Sequence, residues 1–296
     1  MPIGSFAAAA VLDGLDPCRI FARNGLAPYD YQVPILRQRP HRGLVAWGRQ
    51  SGKSSAISAL VLDEVFYRAP ALVVVSSFAE RQSKELLLKA MDLYQPFADE
   101  FPLVVDSKSE KVFRNRSRIV ALPGTADSAR SFSGVALVIL DEAALPAEKP
   151  TQTDELRVAI DPLLSTLDGD LIAMSTPPEI ADGWWWRTWT QNGRFGGEDA
   201  VEGAKDDGWI RTFVPSTRCP SISPEFLSAT RADFERMGKL RQFEREYLCR
   251  FPETKGDSTN PRLFTPDVLD RIFGGLAQAP GVTEAGGNGD MPGARG

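Results

Sequence analysis

Ten residues, Ala46 to Ser55 (AWGRQSGKSS), carry the densest chemistry in this chain. Gly52, Lys53 and Ser54 stand in the order a phosphate-gripping loop needs. Glycine lets backbone amides approach a phosphate, and the helix that follows offers its positive N-terminal end. Lysine reaches the terminal phosphates, and the next hydroxyl can hold a magnesium ion. The amides of Gly48, Arg49, Gln50, Ser51 and Ser55 would line the same cradle. Trp47 occupies the position of the first glycine in the strict G-x-x-x-x-G-K-S/T spacing, and the glycine is displaced by one residue to Gly48. Read alone, SGKS also suits a helix N-cap followed by an ordinary lysine.

A site that hydrolyses a nucleotide needs an acid at a strand end for magnesium and a base that orients the attacking water. The segment LVILDE offers Asp141 for the metal and Glu142 for the water. An apolar strand that ends in exposed acids is the plain alternative. In AMSTPP, the Ser175–Thr176 pair closes another apolar run and could sense the γ-phosphate, although Ser-Thr-Pro is also ordinary turn chemistry. ATP and Mg2+ are the cofactors these residues call for.

Buried strands must present such loops at one sheet edge. GLVAW (43–47), ALVVVSS (71–77), VALVILDEAA (135–144), DLIAMSTPP (170–178) and GWIRTFVPST (208–217) read as strands. PYDYQVPILRQRPHRG reads as a short helix closed by Pro40 and Gly43, and KSSAISALVLDEVFYRA, AERQSKELLLKAMDLY and TQTDELRVAIDPLLST read as helices. KVFRNRSRIVALP (111–123) alternates as an antiparallel strand or hairpin does, and the stretch around Gly238 reads as two short helices. Strands alternating with helices predict an α/β fold with a mostly parallel sheet wrapped on both faces and a small helical lid. With the adjacent acids Asp141 and Glu142 after a phosphate loop, the expected class is a three-layer P-loop NTPase of RecA-like, additional-strand type. The expected division is an N-terminal segment 1–42, a core 43–204, a lid 205–252, a linker 253–275 and a disordered tail 276–296.

Bulk properties narrow the classes. The 296 residues are 43% apolar and 25% charged, with a net charge of -5. That charge is unlike a protein that coats DNA, so any nucleic-acid contact would be local. No apolar run is long enough to span a bilayer, and the N-terminus lacks the basic start of a signal peptide. Cys18, Cys219 and Cys249 are far apart and odd in number, which suggests reduced thiols. His41 is the one histidine, so histidine-based metal or triad chemistry is not expected.

RQSGKS, RSFSGVALVILDEAA and MSTPP, in this order, resemble the ATPase domain of the terminase large subunit, the DNA-packaging motor of tailed bacteriophages. The resemblance spans about residues 25–252. It implies that the displaced glycine is a family trait and that Arg49 is the loop arginine that contacts the nucleotide. It also implies that Tyr31 and Gln32 belong to the adenine-side motif, that Ser175 and Thr176 couple hydrolysis to movement, and that Arg130 acts in trans on a neighbour's ATP. Arginine suits that last role because its fork spreads over γ-phosphate oxygens. The family often has glycine after this arginine; here Ser131 follows.

Implied partners are double-stranded DNA, a portal protein, a small terminase subunit and further copies in a ring, with no membrane. The implied place is the host cytoplasm, transiently at a procapsid portal and not in the mature virion. The nuclease domain usual after this region has no counterpart before the end of the chain, so no DNA cleavage is expected. On a single strand, Arg114, Arg116 and Arg118 would share a face able to touch phosphates; a solvated face or a hairpin turning near Asn115 stands beside that reading. A helicase-like ATPase of superfamily 2 and a non-catalytic remnant that docks on packaging partners are the alternative functions.

Overall fold

The computed structural model describes residues 12–77, 79–144, 150–190, 194–195 and 207–252. The linker and tail expected at 253–275 and 276–296 lie outside these residues.

The strands are β1 (Arg42–Trp47), β2 (Leu72–Ser77), β3 (Leu103–Asp106), β4 (Glu110–Phe113), β5 (Arg118–Pro123), β6 (Leu137–Asp141), β7 (Asp170–Ser175), β8 (Arg194–Phe195) and β9 (Ile210–Val214). They form one sheet in the order β3-β4-β5-β2-β6-β7-β1-β9-β8. Pairing is parallel from β5 through to β8; β3, β4 and β5 pair antiparallel. The apolar runs predicted as central strands are therefore central. They are covered on both faces, as continuous Val, Ile and Leu runs require.

One face carries the helices α1 (Arg19–Arg23), α2 (Gln32–Gln38), α3 (Lys53–Tyr67) and α4 (Glu80–Tyr94). Val45, Trp47, Val73, Val75, Ile139 and Met174 from the sheet join Leu60, Val61, Leu86 and Phe97 in its core. Every residue of α3 from Ala56 to Phe66 is buried, including Asp63 and Glu64, which pair with Arg39. A helix enclosed on all sides needs apolar residues around its whole circumference, and those two acids are tolerated because a guanidinium meets them.

The opposite face is covered by α6 (Pro150–Ser165), through Leu156, Ile160, Leu163 and Leu164, and by the aromatic helix α7 (Trp184–Thr190). The short α5 (Ala126–Ala129) precedes β6. Trp185 and Trp189 stack at 5.1 Å and Phe251 stacks on Trp189, so the four buried tryptophans of this helix are part of the core. Arg211 of β9, wholly enclosed, ties this layer to the sheet through Asp207 and the carbonyls of Thr188 and Trp189.

Two expectations change. The segment 205–252 is not all lid: β9 pairs with β1 inside the main sheet. Its helical part is α8 (Pro224–Arg236) and α9 (Leu240–Tyr247), around a small core of Cys219, Ile222, Leu227, Phe243 and Tyr247. Residues 111–123 fold as the hairpin rather than a single strand. Arg114 and Arg116 stand in its turn, Arg116 at φ 70, and Arg118 pairs with Glu110 across the strands at 2.6 Å. The shared arginine face does not exist, because Asn115 closes the turn through Ser117 N–H and anchors it on the carbonyl of Val65.

Candidate active site

The phosphate loop, residues 48–52, joins β1 to α3 at the C-terminal edge of the parallel strands, where open α/β sheets bind ligands. Trp47 is the last residue of β1 and is fully buried. Its indole meets Tyr31 edge-on at 5.4 Å, and Nε1 donates to Thr212 Oγ1 of β9 at 3.0 Å. This position points into the core, so the site has no use for a glycine here; the turn starts one residue later.

Gly48 is required by a close approach. A β-carbon there would lie 2.5 Å from Ser216 Oγ and 2.8 Å from the Tyr247 carbonyl. The loop then curls through Gln50 at φ 59 and Gly52 at φ 76. Left-handed residues of this kind turn successive amides toward an anion. Around the outside of the loop, Gly48 N–H donates to the Val214 carbonyl, Arg49 N–H to the Glu246 carbonyl, and Ser216 Oγ to the Arg49 carbonyl. The Arg49 side chain reaches Glu246 Oε2 at 2.5 Å. Burial works to raise the Glu246 carboxyl, but the Arg49 and Gln242 hydrogen bonds outweigh it and hold it below the usual range.

Tyr31 and Gln32 brace the same loop. Tyr31 hydroxyl donates to the Ser51 carbonyl at 2.9 Å and Gln32 Nε2 to the Gly52 carbonyl at 3.0 Å, while Gln32 Oε1 accepts from Tyr29 N–H. Both side chains are buried and committed to backbone.

Lys53 opens α3, with Nζ 3.4 Å from the Trp47 carbonyl. Its ammonium is desolvated, which lowers its pKa, and Asp141 and Glu142 are among the charges that counteract this. Asp141 ends β6; burial raises its carboxyl, and Lys53 is the largest influence lowering it. Lys53 and Asp141 thus stand at the same edge of the sheet, one strand apart, since β7 alone separates β6 from β1. Asp141 Oδ1 accepts from Glu142 N–H, and Glu142 sits at φ 54, a sparsely populated conformation for a residue with a β-carbon. Glu142 Oε2 accepts from Gln82 Nε2 at 2.6 Å, and Gln82 Oε1 accepts from Ser77 Oγ at 2.7 Å. Gln82 and Ser77 carry no motif, which is why sequence reasoning passed over them.

Of the remaining expected residues, Ser54 and Ser55 lie in the first turn of α3. Ser175 ends β7 paired with Ala46; its neighbour Met174 pairs with Asp141, so Ser175 lies on the other face of the sheet, where its buried hydroxyl has no hydrogen-bond partner among the described residues. Thr176 follows it. Arg130 caps α5, two-thirds exposed, held by Asp127 at 3.1 Å.

Magnesium fits the oxygens present. Among the described residues no group of three or more His, Cys, Asp or Glu side chains is placed to cage a metal. Magnesium bound with a nucleotide needs no cage, since one or two protein oxygens suffice when phosphates and water supply the rest. Asp141, half-buried at the end of β6, accepts one amide and has the Lys53 and Lys89 charges to offset desolvation of its carboxylate, so a cation suits it. Among the described residues no helix is long and apolar enough to cross a membrane.

No family model matches the chain. The terminase large subunit of Thermus virus P23-45 is 24% identical over 254 residues, covering 79% of this chain and 48% of that protein. The chain thus spans about half the length of the curated relatives it matches. A mutant of the large terminase ATPase domain from Thermus phage P74-26 superposes with a TM-score of 0.63 at 20% identity, covering 80% of this chain and all of that one. The large terminase of a thermophilic bacteriophage in complex with ADP gives 0.53 at 10% identity, over 75% of this chain and 53% of that one. What this chain resembles, in sequence over 254 residues and in fold over four-fifths of its length, is the ATPase domain of the phage terminase large subunit.

Proposed function

We propose that the chain is the ATP-hydrolysing motor domain of a terminase large subunit and drives double-stranded DNA into a procapsid. The observation that carries this reading is the placement of Lys53, at the start of α3, and Asp141, at the end of β6, at one edge of the parallel sheet beside a loop with two left-handed residues. Lys53 and the amides at the start of α3 would hold the β- and γ-phosphates, while the Gly48 and Arg49 amides fix the loop to the Val214 and Glu246 carbonyls. Ser54 and Asp141 would hold Mg2+, which when bound neutralises charge on those phosphates. Glu142 would accept the proton of the attacking water as the water oxygen bonds to the γ-phosphorus and the bond to the ADP oxygen breaks. Arg49 would touch the nucleotide from the loop, with Glu246 as its partner in the free protein. Arg130, open to solvent, would reach a neighbouring copy's ATP, and Ser175 and Thr176 would relay loss of the γ-phosphate. The ADP complex of a similar fold supports a nucleotide here. Portal protein, small terminase subunit and a ring of identical copies follow as partners, in the host cytoplasm at the portal.

The test is steady-state ATP hydrolysis at high protein concentration, with and without magnesium and DNA. Lys53→Ala should abolish hydrolysis and weaken nucleotide binding. Glu142→Gln should lower kcat by about 10²-fold or more while nucleotide still binds. A wild-type protein that neither binds nor hydrolyses ATP overturns the reading.

A further inference from the structure

The geometry points to Gln82 as the positioning residue of the hydrolytic glutamate, set in turn by Ser77. This deepens the ATPase reading above and rests on it. Glu142 leaves the sheet on a left-handed residue, with a side chain long enough to take up several rotamers. One of its carboxylate oxygens, Oε2, is held by Gln82 at 2.6 Å. An ionised carboxylate can only accept hydrogen bonds, so the Gln82 amide must turn its NH2 toward Glu142. Its carbonyl oxygen then faces Ser77, whose hydroxyl must donate. Each partner fixes the orientation of the next. A hydrogen bond to a charged acceptor is among the stronger kinds, so the order is held firmly.

The anchor of this chain is rigid. Ser77 is buried at the end of β2, where it pairs with Asp141 in the β2–β6 ladder. Gln82 stands in the first turn of α4, three residues after Ala79, whose carbonyl accepts its N–H. The strand that carries the metal-side acid is therefore also the reference for the base. With Oε2 fixed by Gln82, Oε1 is held in one direction from which it can accept from a water. Gln82 moves no proton and touches no substrate; it restricts where the base can point. Near-attack geometry of this kind is sensitive to small displacements.

The experiment compares wild type, Gln82→Ala, Gln82→Glu, Ser77→Ala and the Ser77→Ala/Gln82→Ala double variant. It reads kcat and KM for ATP, and the affinity for ATPγS. Gln82→Ala should lower kcat about tenfold or more and leave KM and ATPγS affinity within about twofold of wild type. Gln82→Glu, which sets carboxylate against carboxylate, should be at least as slow. Ser77→Ala should lose less, and the double variant should be no slower than Gln82→Ala alone, because Ser77 acts through Gln82. Wild-type kcat in Gln82→Ala overturns the proposal, as does a parallel loss of kcat, nucleotide affinity and melting temperature, which marks a structural residue. If the wild type hydrolyses nothing, the ATPase reading fails by itself. The contact is then tested in the nucleotide-free protein by a melting-temperature cycle between Gln82→Ala and Glu142→Ala: non-additive shifts support it, and additive shifts sink it.

Discussion

Trp47 shows how a single residue can break a motif and keep the site. Its ring fills the space between Tyr31 and β9, and its N–H satisfies Thr212. Restoring the strict spacing with Trp47→Gly should therefore cost stability, about 3 kcal/mol or more, since it empties a large buried volume and strands a hydroxyl. Denaturant unfolding reads this directly; an unchanged midpoint would refute it. The sequence singled out Lys53, Ser54, Asp141 and Glu142 by residue type and spacing alone, and the structure puts them at one edge of the sheet. It could not show why position 47 is not glycine, since the explanation is a residue 165 positions away. Gln82 was invisible for the same reason: a glutamine early in a helix becomes informative only once β2 and β6 are known to be neighbours.

Among the elements, those with strong periodicity were readable. The central strands and the helices α3, α4, α8 and α9 fall where apolar spacing puts them. The arginine-rich stretch 114–118 was ambiguous between strand and turn, and Asn115, which satisfies both the turn and the α3 carbonyl, decided it. The Trp-rich α7 gave little period to read, because four aromatics crowd six residues and leave only Arg187 and Thr188 as polar markers. The loop itself is an element held from two sides, by Tyr31 and Gln32 on one and by residues 214–216 and 246–247 on the other. Gly48→Ala sets a methyl group against the Tyr247 backbone, which cannot swing aside as a side chain can. It should lower stability by about 1–3 kcal/mol and weaken ATP binding together with it. Calorimetry and nucleotide titration on the one variant check both, and a variant that loses neither contradicts the packing described here.

At the scale of the molecule, the candidate site lies at one edge of the sheet, and burial acts on its charged groups. Lys53 and Asp141 are each pushed toward neutrality by desolvation and each pulled back by the other, which is the arrangement expected where a charged ligand completes the balance. Parallel order and helices on both faces were legible from alternation alone. The antiparallel extension through β3 and β4 was only partly so, since the edge strand Leu103–Asp106 is short and half its residues are exposed valines that no periodicity marks. The boundary at 204 was misplaced because a linear division cannot see that β9, late in the chain, returns to lie beside β1.

That return sets the smallest piece able to work. A protein ended at residue 204 would turn β1 into a raw border, remove the oxygen that receives the Trp47 N–H, and strip the outer wall from the anion cradle. Such a fragment should bind no nucleotide, whereas one that runs past Tyr247 should; filter-binding of labelled ATPγS to the two lengths distinguishes them.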